Sequence, residues 1–249
     1  TNVRNNIPVS QVPARTWVSR VEPSHFDAGT AYVSFDGHRT SNFKPYVFKT
    51  TDYGATWTSI SSNLPQRDPV YVVKEDLKNP ALLFVGTEFG VYASVNGGAE
   101  WHKMMTGMPT VAVHDLVIHP RDNDLVAATH GRSLWLLDDI TPLQQLTPAV
   151  LAADAHAFSN RVATVWKAIS RGATRGHLLF QGRNPLTIAQ RAPANSPSEL
   201  ANSATVSFFV GKAPAGPAKI EITSNDPFTP CAALPAVLGI TAASAITVA

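Results

Sequence analysis

The chain has little cysteine and little charge. It contains one cysteine, Cys231, in 249 residues, which excludes an intrachain disulfide framework and a metal site built from paired cysteines. Charged residues make up 15% of the sequence and the net charge is +2, so the charged fraction is well below that of typical soluble proteins. The lysines and arginines form no stripe or run, which argues against a nucleic-acid-binding protein.

Motifs for bound cofactors are also missing. The sequence has no phosphate-binding loop, no dinucleotide fingerprint and no Gly-x-Ser-x-Gly nucleophile turn. Its histidines lack the close His-x-His or His-Glu-x-x-His spacing of metal sites. We therefore predict no cofactor and no metal.

No long apolar run clearly predicts a membrane helix. Residues 232–249 lack charge and approach the lower limit for a spanning helix. Pro235, Gly239 and several hydroxyl residues instead favour a terminal strand pair or a loose tail. The first residue is not Met and no apolar signal segment follows it, so we expect a processed or cut N-terminus.

The sequence contains the same turn pattern in two places. Residues 50–57 and 94–101 share a hydroxyl residue, then Asp or Asn two positions on, Gly two further on, and Trp three after that. The two tryptophans lie 44 positions apart, close to the spacing of four-stranded propeller blades. The residues of the pattern, which we interpret as structural, are Thr50, Asp52, Gly54, Trp57, Ser94, Asn96, Gly98 and Trp101.

Each position of the pattern has a mechanical explanation. Asp52 and Asn96 can accept hydrogen bonds from the backbone of their own turn, and Gly54 and Gly98 can take positive φ without penalty. The tryptophan that follows supplies a large surface for packing between sheets. The other tryptophans at roughly blade spacing, Trp17 and Trp135, are likewise interpreted as core anchors.

Strand-like segments precede and follow each pattern. The predicted strands of the first unit are 17–22, 30–35, 46–51 and 57–61, those of the second are 70–76, 82–86, 90–94 and 101–105, and a third unit covers 113–120, 125–129 and 133–137. A short segment that ends in Pro follows each unit with the turn pattern, at 63–65 and 107–109, and the opening residues 6–8 resemble these segments. We call them exit segments. Three blades cannot close a ring of roughly four to eight. We therefore expect the C-terminal portion of a larger propeller, with the missing blades cleaved, truncated or supplied by another copy.

The duplicated turn resembles the Asp-box, or bacterial neuraminidase repeat, of sialidases, xyloglucan-cleaving glycosidases and sortilin-type receptors. Together with 84–92 and 128–135, residues 1–146 look like the final blades of large bacterial proteins of the sortilin-like and glycosidase-like group. The resemblance implies an exported protein, secreted or periplasmic. The clustered arginines that a sialidase would be expected to use are not visible.

From residue 147 the character of the sequence changes, with fewer charges and more Pro and Ala. A helical-looking patch at 160–170 precedes alternating runs at 204–210 and 218–223. Strands of this kind with Pro-Gly turns predict an immunoglobulin-like sandwich over 147–249. The expected fold is all-β throughout.

Three loops and one blade-to-blade segment could form a ligand cleft. Glycoside hydrolysis commonly uses two carboxylates, and the candidates are Asp36, Glu88 and Asp115. Asp36 and Glu88 also have structural explanations, as a turn residue and as a hairpin cap, and Arg132 could pair with Asp138. Candidate ligand contacts are His38, Arg39, His114, His130 and Arg132.

The sequence thus predicts a glycosidase-like propeller protein that acts on or binds polysaccharide or glycoconjugate. The alternative is a non-catalytic, sortilin-like protein that binds peptide or glycan, or a scaffold whose active residues belong to other blades. A paired, desolvated Asp and Glu at the loop face would favour the enzyme. A carboxylate-poor, apolar opening would favour the receptor-like role.

Overall fold

A computed structural model of the chain describes residues 2–104, 107–160, 204–212 and 246–248. It divides into two compact units, Thr1–Thr147 and Pro148–Ala249. The described residues are mainly β-strands, with a few helical segments of three or four residues. The prediction of an all-β protein is therefore confirmed for the described part of the chain.

The first unit is built from three antiparallel sheets that follow one another along the chain. The first sheet contains β1 (Trp17–Pro23), β2 (Ala31–Gly37), β3 (Asn42–Thr50) and β4 (Thr58–Ser59). The second contains β5 (Val70–Glu75), β6 (Leu83–Thr87), β7 (Gly90–Ser94) and β8 (His102–Lys103), and the third contains β9 (Val113–Ile118), β10 (Leu125–Thr129) and β11 (Leu134–Leu137). Within each sheet, every strand pairs with the next strand in the chain, as in a propeller blade. The outermost strands β4 and β8 are only two residues long, shorter than the sequence predicts.

The sheets pack face to face, and their first strands are neighbours: β1 contacts β5, and β5 contacts β9. Between the first two sheets lies a core that includes Tyr32, Val47 and Tyr92. A second core, between the second and third sheets, includes Phe84 and Leu116. The apolar, β-branched strand residues are therefore buried between consecutive sheets, which fixes the order of the three sheets in space.

The first strand of each sheet carries a β-bulge near its start. Between β1 and β2 the register skips Ser19, between β5 and β6 it skips Tyr71, and between β9 and β10 it skips His114. A bulge inserts one unpaired residue and changes the direction of its side chain. The three bulges occupy equivalent positions, so they are a repeated feature of this unit.

The two copies of the turn pattern share the hydrogen bonds of their first residue, a threonine or a serine. The Thr50 hydroxyl accepts from the Gly54 N–H and donates to Asp52 Oδ1, at 2.9 and 2.8 Å. In the second copy, Ser94 makes the corresponding bonds to Gly98 and Asn96 at the same two distances. Gly54 and Gly98 both have positive φ, 84° and 90°. The predicted equivalence of the two turns is confirmed by this geometry.

The tryptophan that ends each copy is a core anchor, as predicted. Trp101 is buried, and its indole N–H donates to the Ile60 carbonyl of the preceding sheet at 2.8 Å. Asn63 fixes the same residue by bonding both its N–H and its carbonyl oxygen. Trp57 is half-buried against a cluster that contains Ile7. Because Leu64 packs with Trp101 as Ile7 packs with Trp57, the opening residues act as an exit segment does.

Two other tryptophans differ from each other. Trp135 in the third sheet is half-buried against the second core, in agreement with the prediction. Trp17 is 63% exposed at the start of β1, so its interpretation as a core anchor is wrong. The residue is the first of β1 and lies two positions before the bulge at Ser19.

The second unit contains short elements within the described residues: α2 (Pro148–Leu151), β12 (Ala155–Ala157), β13 (Ala204–Val206), β14 (Phe208–Val210) and β15 (Ile246–Val248). Strand β12 pairs with β14, and β13 with β15. The alternating run that predicts strand structure at 204–210 forms two strands, which are separated at Ser207. The Ser207 carbonyl instead accepts the Phe158 N–H.

The immunoglobulin-like sandwich over 147–249 stays a prediction. Most of the predicted helix at 160–170, the whole strand at 218–223 and most of the tail at 232–249 lie outside the described residues. None of the helices in the described part of the chain has the length and apolar character needed to cross a bilayer. One more helix, α1 (Thr141–Gln144), follows the third sheet in the first unit.

The duplicated turn provides its own control, because Asn96 occupies in one copy the place that Asp52 occupies in the other. The hydroxyl and the N–H of Thr56 lower the pKa of Asp52 to about 2. A lowered pKa means that this carboxylate stabilises the fold above the unfolded-state pKa, and that the effect disappears as the pH falls through about 2. We expect Asp52→Asn to keep the turn at pH 7 and Asp52→Ala to lower the melting temperature.

Thermal unfolding followed by circular dichroism at pH 7, 4 and 2 checks this prediction. The difference in melting temperature between wild type and Asp52→Asn should change in favour of the variant between pH 4 and pH 2. Parallel pH profiles for the two proteins would show that the ionised carboxylate contributes nothing.

Candidate functional site

The three turns that the sequence selects lie at one end of the sheets. Strand register pairs Trp17 with Asp36, Val70 with Thr87, and Val113 with Thr129. The start of each first strand therefore meets the turn between the second and third strands of its own sheet. Because the first strands are neighbours, the three turns and the three bulges form a common surface.

A pocket of about 220 Å³ opens on this surface. Its lining residues are Trp17, Ser19, Asp36, His38, Arg39, Tyr71 and His114. The volume is below the several hundred Å³ of typical small-molecule sites. All three bulged residues belong to the lining, which means that the repeated backbone irregularity builds the pocket.

Asp36 and His38 form a fixed pair at the first turn. The buried Asp36 carboxylate accepts the His38 backbone N–H at 2.9 Å, and its other oxygen contacts His38 Nδ1. Between them, Gly37 approaches Asn42 so closely that a Cβ would lie 2.8 Å from the Asn42 carbonyl oxygen. Glycine therefore permits the tight turn, and the carboxylate holds the half-exposed imidazole towards the pocket.

Tyr71 and Glu88 join the second sheet to the pocket. The Tyr71 hydroxyl donates to the Glu88 carboxylate. Burial raises the pKa of Tyr71 above its usual range, and the hydrogen bond to Glu88 and the nearby carboxylates raise it further. The phenol is therefore protonated at neutral pH and acts as a donor. Buried Asp68 fixes the turn by accepting the Phe89 N–H at 3.1 Å.

A row of four rings crosses the surface from the first sheet to the third. His38 meets Tyr71 edge-on at 6.3 Å between centroids, and Tyr71 stacks on His114 at 4.4 Å with 19° between planes. His130 follows at 5.2 Å from His114, and its backbone N–H bonds the Ala112 carbonyl at 2.9 Å. We call His38, Tyr71, His114 and His130 the ring row. His38 and His130 belong to the first and third turns, and Tyr71 joins the row to the second turn through its hydrogen bond to Glu88.

Trp17 and Arg39 form the remaining wall of the pocket. The Arg39 guanidinium carbon lies 5.7 Å from the centre of the Trp17 ring, a cation–π distance. Both side chains are exposed, so their outer faces meet solvent at the pocket mouth. We call this pair the Trp17–Arg39 platform.

The remaining predicted residues lie around this centre. Asp115 forms an ion pair with Arg20, which links the first strands of the first and third sheets. Arg132 is exposed, and its carbonyl oxygen accepts the Trp135 indole N–H at 3.0 Å. Of the three candidate carboxylates, Asp36 lines the pocket, Glu88 lies behind Tyr71, and Asp115 is held by Arg20. No group of three or more His, Cys, Asp or Glu side chains among the described residues could hold a metal ion.

Sequence reasoning missed three residues that line the pocket: Trp17, Ser19 and Tyr71. Each lies in a first strand that reads as an ordinary β segment. A bulge depends on the register with the next strand, which a local pattern of side chains does not encode. The signal in the sequence was Trp17, an aromatic residue at the start of a predicted strand, but the spacing of the tryptophans favours a core position for it.

Comparison with known proteins finds no matching family model and no matching curated protein. Several solved structures are similar to part of the chain, and two of them are GH74 enzymes. One is an ancestral GH74 enzyme, at 24% identity and a TM-score of 0.39 over 47% of this chain and 14% of that one. The other is the GH74 enzyme of Niastella koreensis, at 19% identity and a TM-score of 0.40 over 49% of this chain and 21% of that one. Most of each enzyme's length therefore has no counterpart here.

The protonated Tyr71 gives a test of the site geometry. Replacing it by Phe removes one hydrogen bond to a half-exposed carboxylate, so we expect the free energy of unfolding to fall by about 1 kcal/mol at pH 7. A raised pKa adds stability below the ordinary pKa of 10.0 that is lost as the pH rises towards the folded-state value. The cost of the substitution should therefore shrink above pH 10.

Ultraviolet titration measures the ionisation itself. The wild-type spectrum minus that of Tyr71→Phe should show no tyrosinate at pH 10–11, whereas Tyr53, which is 79% exposed, provides the comparison for an ordinary phenol. A difference spectrum that titrates near pH 10 would contradict the bond to Glu88.

Proposed function

We propose that the chain is part of an exported, glycosidase-like β-propeller of the Asp-box type, secreted or periplasmic, that binds polysaccharide or glycoconjugate at the pocket. The corresponding hydrogen bonds of Thr50 and Ser94 in the two turns support the Asp-box assignment of residues 1–146. The observation that carries the binding role is the exposed indole of Trp17 beside the polar pocket.

The chemistry of this opening suits a sugar. An indole face packs against the C–H groups of a pyranose ring, while nearby donors and acceptors bind its hydroxyls. Here the stacking face belongs to Trp17, and His38, Ser19 and Tyr71 supply polar atoms around it. The receptor-like alternative predicts an apolar, carboxylate-poor opening. The lining has only one carboxylate, Asp36, but its other side chains include several polar groups, so it meets only part of that description.

Further sheets complete the ring in this proposal, either as other blades or as another copy of the chain. Apolar side chains on the third sheet support it, because Val117, Leu134 and Leu136 are 54%, 67% and 43% exposed. Register places Val117, Val126 and Leu136 in one row across the sheet. An exposed apolar row of this kind marks a packing surface.

Trp17→Ala tests the binding role. We expect it to weaken binding of a polysaccharide at least tenfold, because the stacking face is lost, with little change in melting temperature. Phe26→Ala is the matched control, since Phe26 is 44% exposed in the β1–β2 turn at the opposite end of the sheet. Affinity electrophoresis through polysaccharide-containing gels gives the readout, and equal retardation of both variants would sink the proposal.

Hydrolysis is a second candidate function, favoured by the position of Asp36. It is the one carboxylate among the pocket-lining residues, and its partner His38 can carry a proton to or from a ligand. Asp36→Asn should lower the release of reducing ends by about 100-fold or more, the usual contribution of acid–base catalysis.

The control for this second prediction is Glu100→Gln, since Glu100 is exposed in the second copy of the turn pattern, just before the outermost strand β8, and is not among the pocket-lining residues. Its activity should equal that of the wild type. Unchanged activity in Asp36→Asn would exclude this carboxylate from the reaction and leave binding as the role of the pocket.

A further inference from the structure

Around the pocket, the carboxylates have hydrogen-bond donors within the protein, whereas the guanidinium of Arg39 does not have an acceptor in the described part of the chain. Both oxygens of Asp36 are engaged by His38, and the Glu88 carboxylate accepts the Tyr71 hydroxyl. Asp115 is paired with Arg20. Each carboxylate of this surface therefore already has a donor within the protein.

Arg39 is in the opposite situation. Among the described residues its guanidinium has no carboxylate partner and makes no hydrogen bond, and its contact is with the Trp17 ring. The five N–H donors of a guanidinium match the two oxygens of a carboxylate or a sulfate. The pocket thus presents one cation with unused donors beside a ring that suits a sugar.

The local backbone keeps this cation at the pocket mouth. Arg39 lies in a short 3-10 segment, His38–Thr40, that follows the Gly37 turn. The Thr40 hydroxyl closes the segment by donating to the Gly37 carbonyl at 2.9 Å. The side chain therefore starts from a fixed turn and lies over Trp17, so less freedom is lost when a ligand binds.

We propose that the ligand of this pocket is an acidic glycan, in which Arg39 binds an anionic group and Trp17 packs against the sugar that carries it. The anionic group is a carboxylate of a uronic acid or a sulfate ester, which share the oxygen geometry that a guanidinium recognises. This inference rests on the proposed function. It adds the substrate class, because a neutral glycan would leave the donors of Arg39 without an ionic partner.

Paired polymers test the proposal on the full chain. Polygalacturonate and its fully methyl-esterified form differ in charge on one backbone, and dextran sulfate and dextran form a second pair. The wild type should bind at least one acidic polymer about tenfold or more tightly than its neutral partner, the effect expected of one charged hydrogen-bonding contact. The pair that shows the difference identifies the carboxylate or the sulfate as the source.

Variants assign the preference to the residue. Arg39→Gln should remove the preference for the acidic polymer over its neutral partner, while Arg39→Lys should restore part of it. Lys44→Gln removes the same charge from an exposed position on the adjoining strand, and it should keep the preference. Melting temperatures of all variants show that they fold.

The contrary results are separate for the two proposals. Equal binding of acidic and neutral polymers that still depends on Trp17 would overturn the acidic ligand and leave glycan binding standing. A preference lost equally in Arg39→Gln and Lys44→Gln would also overturn it, since net charge would then be the cause. Binding to none of the four polymers would overturn both proposals.

Discussion

In each of the three sheets, the first strand carries one residue more than the strand with which it pairs, and at the same place. This constraint on register determines the functional surface. The extra residues Ser19, Tyr71 and His114 are released from the regular alternation of a strand, and all three line the pocket. A regular ladder would point every second side chain of these strands into the inter-sheet cores. The lining also includes Asp36, His38 and Arg39 from the first turn, so the site combines the repeated backbone irregularity with the sequence of that turn.

The bulges lie on sheets that are joined to one another by buried side chains and hydrogen bonds. Trp101 packs between the first and second sheets, and its backbone N–H donates to Asn63 in the preceding exit segment. Its indole N–H donates to the Ile60 carbonyl. At the opposite end of the strands from the cleft, buried Glu75 accepts the Tyr32 hydroxyl at 2.9 Å and the His25 N–H at 2.7 Å. These bonds join neighbouring sheets above and below the core. The turns near the pocket can therefore carry polar and aromatic groups that contribute little to packing.

The parts of the fold that could be predicted from the sequence are local. The turn pattern encodes its own hydrogen bonds within eight residues, and β-branched runs mark the strands. What could not be predicted depends on contacts between distant residues. Trp17 looks like the other tryptophans in sequence but lies beside a bulge, and Arg20 reaches Asp115 in a strand almost a hundred positions away. The predicted run at 204–210 likewise breaks at Ser207 because the chain there binds another segment.

The central claim is that bulged residues from three sheets meet at one surface. The contacts of Tyr71 with His38 and His114 in the ring row are its most direct consequence. Nuclear Overhauser effects between the aromatic protons of Tyr71 and the imidazole protons of His38 and His114 measure it in solution. Cross-peaks from Tyr71 to both histidines are expected, the stronger one to His114, whose ring centroid is 4.4 Å away. Absence of both cross-peaks in the folded protein would contradict the shared surface and the site built on it.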